Sequence, residues 1–258
     1  MAAETSHLVT VEHAEGYIVL TVEHPPVNAI SLGVIEALRS ALEDTANDTG
    51  VRAVIITGSG PRFFGAGADV TEFQTAGPES IAEGQALTLV IQNLRVPVIA
   101  AVNGIALGGG CEIALACDIR LCSTAARFGQ PEVNLGIIPG WGGTQRLPRL
   151  VGLARALPML YTGEPIDAQQ ALDWGLVSEV AEPERLLDIA RELAAKIATK
   201  APLAIAATKT AIAQGVDRPV NKGMEIERRE FIRVFSSADA REGVAAFLDK
   251  RAPVWTGR

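Results

Sequence analysis

The chain has 258 residues, of which 48% are hydrophobic and 21% are charged, and its formal net charge at pH 7 is -7. This length suffices for one sizeable core, and the acidic balance argues against a nucleic-acid-binding protein, which needs a basic face. The sequence contains no apolar run long enough to cross a bilayer and no export or organelle signal at the N-terminus, so we expect a cytoplasmic protein with no membrane partner.

The first half of the chain alternates strand-like and helix-like segments. Two β-type runs, 8–12 and 17–22, flank a turn at Ala14-Glu15-Gly16 and predict a hairpin. Helical spacing of apolar residues predicts a helix over 32–47. The later segments repeat this alternation: a buried strand over 53–57, a helix over 81–95, a buried strand over 97–102, a helix from about Gly108, and a strand over 119–122. The pattern is typical of an α/β core with a partly parallel sheet.

The second half, after Gly142, is dominated by helical patterns. The predicted helices cover 151–161, 168–174, 183–199, 202–214, 220–235 and 240–249. In this half only 176–180 has the pattern of a strand. We therefore expect the C-terminal part to form a helical layer or subdomain on the α/β core.

Two segments rich in small residues can present free backbone amides. Residues 63–69 (FFGAGAD) follow a buried strand, although an ordinary strand-to-helix turn is the simpler explanation of this segment alone. Residues 103–112 link a buried strand to the start of a helix, whose first amides lack intrahelical partners. Three glycines at 108–110 clear the space around these amides, which suits a developing negative charge or a phosphate. A P-loop is disfavoured because no Gly-Lys-Ser/Thr ending follows.

Two glutamates stand in apolar surroundings near these segments. Glu112 falls in the first turns of an apolar helix, where the helix dipole alone also favours a carboxylate. Glu132 is the one charged residue between Arg127 and Arg146. Desolvation raises the proton affinity of a carboxyl group, and two such groups with different environments can divide the roles of acid and base. These glutamates are therefore the candidate acid–base pair.

The cysteines and histidines argue against other kinds of site. The chain has 3 cysteines, at Cys111, Cys117 and Cys122, without CxxC spacing, and its 3 histidines all precede residue 25. This usage is typical of a reducing compartment and of thiols that pack as small apolar groups, so we expect no metal site. A Ser–His or Cys–His nucleophilic site is disfavoured because no histidine follows His24.

These residues lie in motifs that resemble the enoyl-CoA hydratase/isomerase (crotonase) superfamily, most of all the enoyl-CoA hydratases. The likeness runs nearly end to end, and its motifs are AGAD at 66–69, PVIAAVNGIALGGGCE at 97–112, FGQPEVNLGIIPG at 128–140 and GGTQRL at 142–147. The resemblance implies an α/β fold, a crotonase-like spiral of repeated ββα units over 1–195. It also implies a C-terminal helical region over 196–258 that serves oligomerisation into a homotrimer or homohexamer.

The resemblance also implies the reaction and its residues. The substrate is an acyl-CoA thioester and no separate cofactor is needed, because the CoA is part of the substrate. Ala68 and Gly109 match the residues whose N–H groups bind the thioester carbonyl. Glu112 matches the base that activates the attacking water, and Glu132 matches the acid that protonates the α-carbon. Gly140 matches a loop glycine whose amide also contacts that water.

Further positions match segments that contact CoA in the family. Those that line its adenine end are Asn28, Ala29, Ala66, Asp69 and Val70. Those that can cover the CoA of the same or a neighbouring subunit are Phe231, Phe247 and Lys250. The chain departs from many relatives at Gly65, and Trp141 is a large side chain beside the catalytic loop that can narrow the acyl pocket.

Three other functions remain open alternatives. An enoyl-CoA isomerase needs mainly the carboxylate at the Glu132 position, so the presence of Glu112 favours a hydratase. Thioester hydrolysis would use the same oxyanion hole. RNA binding, which occurs among relatives, is disfavoured by the net charge of -7.

Overall fold

The structure is a computed structural model that describes residues 8–72, 77 and 80–258. The strands are β1 (Val9–Ala14), β2 (Tyr17–Val22), β3 (Ala53–Gly58), β4 (Phe63–Ala66), β5 (Val98–Val102), β6 (Ile105–Leu107), β7 (Ile119–Ser123), β8 (Arg127–Gly129), β9 (Ile166–Asp167) and β10 (Glu179–Ala181). The helices are α1 (Leu32–Asn47), α2 (Ser80–Asn93), α3 (Gly109–Ala116), α4 (Gly143–Val151), α5 (Leu153–Thr162), α6 (Ala168–Asp173), α7 (Pro183–Ala198), α8 (Pro202–Gly215), α9 (Val220–Phe235) and α10 (Ala238–Leu248), with a 3₁₀-helix at Pro131–Leu135.

The longer strands form a six-stranded sheet in the order β1-β2-β3-β5-β7-β10. The predicted hairpin β1–β2 is antiparallel, and every later neighbour pairs in parallel. All residues of β3 and β5 are buried, which explains their continuous apolar sequence. Helix α1 packs Val34, Leu38 and Leu42 into the main core on one side of the sheet. Helix α7 covers the other side with Leu186, Ala190 and Ala194.

The shorter strands form a second sheet in the order β4-β6-β8-β9. Three of the four follow a long strand directly: β4 follows β3, β6 follows β5, and β8 follows β7, whereas β9 follows α5. Helix α2 closes the first of these strand pairs and α3 closes the second. The chain therefore repeats a long strand, a short strand and a helix, and the predicted spiral of ββα units is confirmed.

The second sheet determines where functional residues can lie. Strands β4, β6 and β8 are neighbours and run parallel, so their carboxyl ends meet at one edge of the sheet. A hydrogen bond of 3.0 Å from Gly108 N to Gly129 O ties the ends of β6 and β8 together. In open α/β sheets, binding sites form at this edge, beyond the carboxyl ends of the strands.

The C-terminal helices are attached to the core by specific polar contacts. Helices α8 and α9 pack against each other, and Lys209 on α8 donates to Asp118 and to the carbonyl oxygens of Ile91 and Val96. The predicted boundary after residue 195 falls inside α7, and the division of the chain there remains a prediction. No helix in the described part of the chain is long and apolar enough to span a membrane.

Several predicted elements need correction. The helix predicted over 151–161 corresponds to α5, which begins after Gly152, where φ is 80°, and α4 before it was not predicted from the sequence. The strand predicted over 176–180 begins later, at Glu179 in β10. Leu176 and Val177 are not part of it, because their amides donate to Ala171 O near the end of α6. Strands β4, β6 and β8 lie within segments that the sequence presented as glycine-rich turns and loops.

Candidate active site

A cavity of about 320 Å³ opens where β4, β6 and β8 end. It is lined by the predicted residues Ala66, Ala68, Val70, Gly109, Glu112, Glu132 and Gly140. The three strand ends supply Ala68, Gly109 and Glu132, and α3 carries Glu112 one turn further on. Both glutamates and both amide-bearing loops therefore face a single space, as the sequence predicted.

The amide of Ala68 is free because of the way its neighbours bond. Ala68 forms an isolated parallel bridge with Ile30, which uses the carbonyl of Gly67 (2.8 Å) and the amide of Asp69 (3.2 Å). In a parallel bridge these flanking groups carry the bonds, so the N–H of Ala68 itself points away from Ile30. It has no acceptor within the described residues.

The amide of Gly109 is free because Gly109 is the first residue of α3. The first amides of a helix have no intrahelical acceptor and lie at its positive end. The cap residue Gly108 has φ of 49°, a conformation that glycine adopts without strain. A Cβ at Gly108 would lie 3.0 Å from Oε1 of Glu132 and 3.5 Å from Cα of Gly67. Glycine therefore allows the two amide-bearing loops and Glu132 to approach one another closely.

Glu112 is buried and held by backbone amides. Its side chain lies in α3, all of whose residues are buried. Oε1 accepts hydrogen bonds of 2.7 Å from Trp141 N and 2.7 Å from Gly143 N. Burial raises the pKa of Glu112 above its usual value, while these two amides and the positive charge of Arg146 oppose the rise. Because the amides select for the ionised form, this carboxylate is suited to accept a proton.

Glu132 is held by fewer backbone amides than Glu112. It lies in the first turn of the 3₁₀-helix. Burial raises the pKa of Glu132 to about 7, a hydrogen bond from its own backbone amide opposes the rise, and the negative charge of Glu112 adds to it. A carboxyl group with this pKa keeps a large neutral fraction near pH 7, which suits a proton donor.

Gln130 contacts Glu132 and was not predicted from the sequence. Its side chain is fully buried. In the amide orientation that satisfies both ends of the side chain, Nε2 lies 3.0 Å from Oε1 and 3.2 Å from Oε2 of Glu132. Gln130 is also hydrogen-bonded with the Cys111 thiol, whose pKa burial raises to about 12. The sequence feature that could have identified Gln130 is its position two residues before Glu132 in the same loop.

The residues predicted to contact CoA are divided between two regions. Ala66 and Val70 line the cavity, whereas Asn28, Ala29 and Asp69 are not among its described lining residues. Asn28 is buried, and its Nδ2 donates to Ser59 O (3.0 Å) and Phe63 O (2.8 Å), so it holds the loop before β4. The Asp69 carboxylate accepts from Thr71, which holds its pKa below the usual value.

The C-terminal residues predicted to cover CoA lie on the outer surface. Phe231 on α9 is 63% exposed, Phe247 on α10 is 83% exposed, and Lys250 follows α10. None of the three lines the cavity among the residues that the structure describes. Within one chain, these residues are therefore separate from the glutamates.

Trp141 and Gly143 supply the amides that hold Glu112, and the sequence did not reveal this role. The resemblance suggested Gly140 for a contact near this point, and Gly140 does line the cavity. Part of the apolar lining of the cavity is formed by Leu135, Ile137 and Ile138, which follow Glu132 in the chain. Their three large apolar side chains in a loop were the signal for a hydrophobic binding surface.

Comparison with known proteins agrees with this geometry. Residues 12–258 match the family model described as "Enoyl-CoA hydratase/isomerase". The chain is 46% identical over 245 residues to a probable enoyl-CoA hydratase of Bacillus subtilis, covering 93% of this chain and 95% of the relative. It is 42% identical over 248 residues to a crotonyl-CoA hydratase of Syntrophomonas wolfei, covering 94% of this chain and 95% of the relative.

A solved structure has the same fold. The crystal structure of enoyl-CoA hydratase from Bacillus anthracis superposes with a TM-score of 0.93 at 38% identity and covers 97% of this chain and 100% of that chain. This likeness extends over the core and the C-terminal helices alike.

Proposed function

The chain belongs to the enoyl-CoA hydratase/isomerase family, and from this premise we propose how its site performs hydration. The reaction is the reversible addition of water to a trans-2-enoyl-CoA, which gives a 3-hydroxyacyl-CoA in fatty-acid or related acyl-CoA catabolism. The observation that carries the proposal is a single cavity lined by Glu112, Glu132, Ala68 and Gly109, where the amides of the last two have no acceptor among the described residues.

The thioester carbonyl oxygen accepts hydrogen bonds from Ala68 N–H and Gly109 N–H. As water attacks the β-carbon, electron density moves from the double bond onto this oxygen, and the two fixed donors stabilise the enolate-like charge. A single donor of this kind contributes about 2.7–4 kcal/mol to lowering the barrier. Because the donors belong to the backbone of two tightly packed loops, they need no reorganisation during the reaction.

The two carboxyl groups divide the proton transfers. The Glu112 carboxylate takes a proton from water as its oxygen bonds to the β-carbon. Neutral Glu132 gives its proton to the α-carbon, which leaves Glu112 protonated and Glu132 ionised. Net transfer of one proton from Glu112 to Glu132, directly or through solvent, restores the pair for the next turnover. The amide of Gly140, at the wall of the cavity, orients the water. Burial raises the pKa of both carboxyl groups, but more backbone amides oppose the rise at Glu112 than at Glu132, which supports this assignment.

The substrate's CoA portion extends from the cavity towards the loop before and after β4. Ala66 and Val70 are the contacts on the cavity wall, and Asn28, Ala29 and Asp69 support the adenine end from behind. Phe231, Phe247 and Lys250 cover the CoA from a neighbouring subunit of a homotrimer or homohexamer, in which residues 196–258 form the contacts. The exposure of the two aromatic rings, 63% and 83%, supports such a role. The proposal includes no cofactor, nucleic-acid partner or membrane partner, and a cytoplasmic location remains a prediction from sequence.

The decisive experiment incubates the purified protein with crotonyl-CoA and follows the loss of absorbance of the conjugated enoyl thioester. We expect turnover, with 3-hydroxybutyryl-CoA as the product by mass. A protein that is inactive here but converts a 3-enoyl-CoA to the conjugated isomer would be an isomerase, and release of free CoA would indicate thioester hydrolysis. The Glu112→Gln/Glu132→Gln double variant is the control for a contaminating hydratase.

A further inference from the structure

Trp141 separates two cavities. It lies in the loop before α4, its side chain is buried, and it lines the active-site cavity of about 320 Å³. It also lines a second cavity of about 810 Å³ between α2, α3, α4 and α8, which is open to the surface at Leu89, Ile212 and Val216. Among the residues described as lining these cavities, only Trp141 is shared by both. The indole is therefore a wall between them.

Two glycines fix the indole in this position. A Cβ at Gly84 on α2 would overlap Cε2 of the indole, and a Cβ at Gly109 on α3 would overlap its Cζ3. The ring is thus clamped between two helices at positions where a larger residue would displace it. Its backbone is also held, because Trp141 O accepts hydrogen bonds of 2.9 Å from both Thr88 Oγ1 and Arg146 Nη1. Because the ring is packed and its backbone is hydrogen-bonded, a long acyl chain does not readily displace the indole.

The position of the wall relates directly to the acyl chain. The thioester carbonyl binds at Gly109 and the β-carbon reacts beside Glu112, so the rest of the acyl chain continues from these two residues. Trp141 contacts both: its ring packs on Gly109 and its amide binds Glu112. A chain that extends past the β-carbon in this direction meets the indole at once.

The second cavity offers space to an apolar chain if the wall is removed. Leu89, Leu115 and Ala213 contribute apolar surface to it. Two cationic side chains that line this cavity already have partners in the protein, since Arg146 donates to Gln92 and Lys209 pairs with Asp118 over 2.7 Å. An anion is therefore a poor match for this space, and a hydrocarbon chain is a better one.

We propose that Trp141 closes the acyl end of the active site and limits the substrate to a short acyl chain of butenoyl length, with the second cavity behind it as latent space. This inference rests on the proposed hydratase function and adds the acyl-chain class. Because replacement of the side chain leaves the Trp141 amide in place, the hydrogen bond to Glu112 is retained in variants at this position.

The test compares kcat/KM for crotonyl-CoA with kcat/KM for trans-2-decenoyl-CoA. We expect the wild-type protein to prefer crotonyl-CoA, and we expect Trp141→Ala to reduce this preference by about tenfold or more, a size typical of pocket changes of a methylene or larger. Trp141→Phe should give an intermediate shift. An active Trp141→Ala protein with an unchanged ratio, or a wild-type protein that uses both substrates equally well, overturns the proposal.

A blocking variant distinguishes entry into the second cavity from a general loosening of the site. Ala213→Trp, on the far wall of that cavity, should leave crotonyl-CoA kinetics unchanged in the wild-type background. Combined with Trp141→Ala, it should restore the preference for crotonyl-CoA, and failure to restore it would show that the longer chain takes another route. If Trp141→Ala folds but is inactive, binding of saturated decanoyl-CoA relative to butyryl-CoA gives the same comparison without turnover.

Failure of the inference and failure of the proposed function give different results. If the proposed function is wrong, the wild-type protein does not hydrate crotonyl-CoA. If only the inference is wrong, the wild-type protein hydrates crotonyl-CoA, but the ratio of kcat/KM for the two substrates does not change in the Trp141 variants as expected. Thermal melting of each variant identifies a protein that has not folded, and Trp141→Phe, which keeps an aromatic ring between the glycines, then supplies the comparison.

Discussion

The backbone amide of Trp141 donates a hydrogen bond of 2.7 Å to Oε1 of Glu112. The amide of Gly143 donates to the same oxygen over 2.7 Å, so two backbone amides hold Oε1 of this side chain. In the proposed mechanism, the loop that forms the wall of the acyl cavity therefore also orients the base. The proposal couples chain-length selection, through the Trp141 side chain, to proton transfer, through the Trp141 amide.

Replacing Glu132 with glutamine should remove the proton donor while preserving the size of the side chain. We expect hydration of crotonyl-CoA to fall at least about a hundredfold, the low end for a general acid–base group. The decrease should appear in kcat, measured from the absorbance of the enoyl thioester. Glu192→Gln on the exposed surface of α7 is the matched control and should retain normal turnover. Near-normal activity of a folded Glu132→Gln protein would count against its role.

The pH dependence should show an alkaline limb set by Glu132. Burial raises the pKa of Glu132 to about 7, so the neutral acid is present below this pH and is lost above it. We therefore expect kcat/KM to decrease above pH 7, approaching about a tenfold loss per pH unit, as the free enzyme loses the essential proton. The coupled glutamates titrate as a pair, so the limb reports a macroscopic value.

The residual activity of Glu132→Gln supplies the check on this assignment. Since glutamine carries no titrating proton, the limb near pH 7 should disappear in that variant. Its persistence in Glu132→Gln would assign the ionisation to another group. Glu192→Gln should keep the limb at the wild-type position.

The sequence predicts the long elements well because their patterns are local. Helices α1 and α9 have the predicted bounds, since helical spacing of apolar residues extends over 16 residues in each. Strands β4, β6 and β8 are only 3 or 4 residues long, and two of them contain glycine. They exist because each pairs with a neighbour about 20 to 40 residues away, and a single short window carries no signal of that pairing.

Only part of the site was predicted, because local motifs carry some of its residues and long-range packing determines the others. The motifs identified Glu112, Glu132, Ala68 and Gly109, and the parallel ends of the short strands explain why they meet. The bonds from Trp141 and Gly143 to Glu112 connect residues 29 and 31 positions apart, and they depend on how α4 packs against α3. No local pattern encodes such a contact. The separation of the two cavities by one ring likewise arises from tertiary packing alone.

Replacing Ala68 with proline should remove one oxyanion donor with little change in protein hydrogen bonding, because this N–H has no acceptor among the described residues. We expect kcat to fall by about 10²–10³-fold, which corresponds to about 2.7–4 kcal/mol. Affinity for butyryl-CoA and the melting temperature serve as the controls for folding. A folded variant with full kcat would exclude this amide from the oxyanion hole.

Gly109→Pro is a less specific test of the second donor. Proline is compatible with the first position of a helix. However, a Cβ at Gly109 would overlap the Trp141 indole, so lost activity would combine removal of the amide with displacement of the wall. In a Trp141→Ala background the overlap is absent, and we expect Gly109→Pro to reduce kcat there by a factor comparable to that of Ala68→Pro. An unaffected kcat in that double variant would assign the second donor elsewhere.

Two replacements of Glu112 should separate its catalytic role from its structural role. Glu112→Gln retains a carbonyl oxygen that can accept from Trp141 N and Gly143 N, whereas Glu112→Ala leaves both buried amides unpaired. Each unsatisfied buried group costs about 1–3 kcal/mol. We therefore expect both variants to lose at least about a hundredfold in hydration, while Glu112→Ala is also less stable than Glu112→Gln by about 2 kcal/mol or more.

Urea unfolding with equal slopes for the two proteins measures this difference in the free energy of unfolding. Glu192→Gln and Glu192→Ala, at an exposed position, should differ by less than about 0.5 kcal/mol. Equal stability of the two Glu112 variants would mean that the amides find other partners, and that the bonds seen from α4 and its preceding loop do not stabilise the fold.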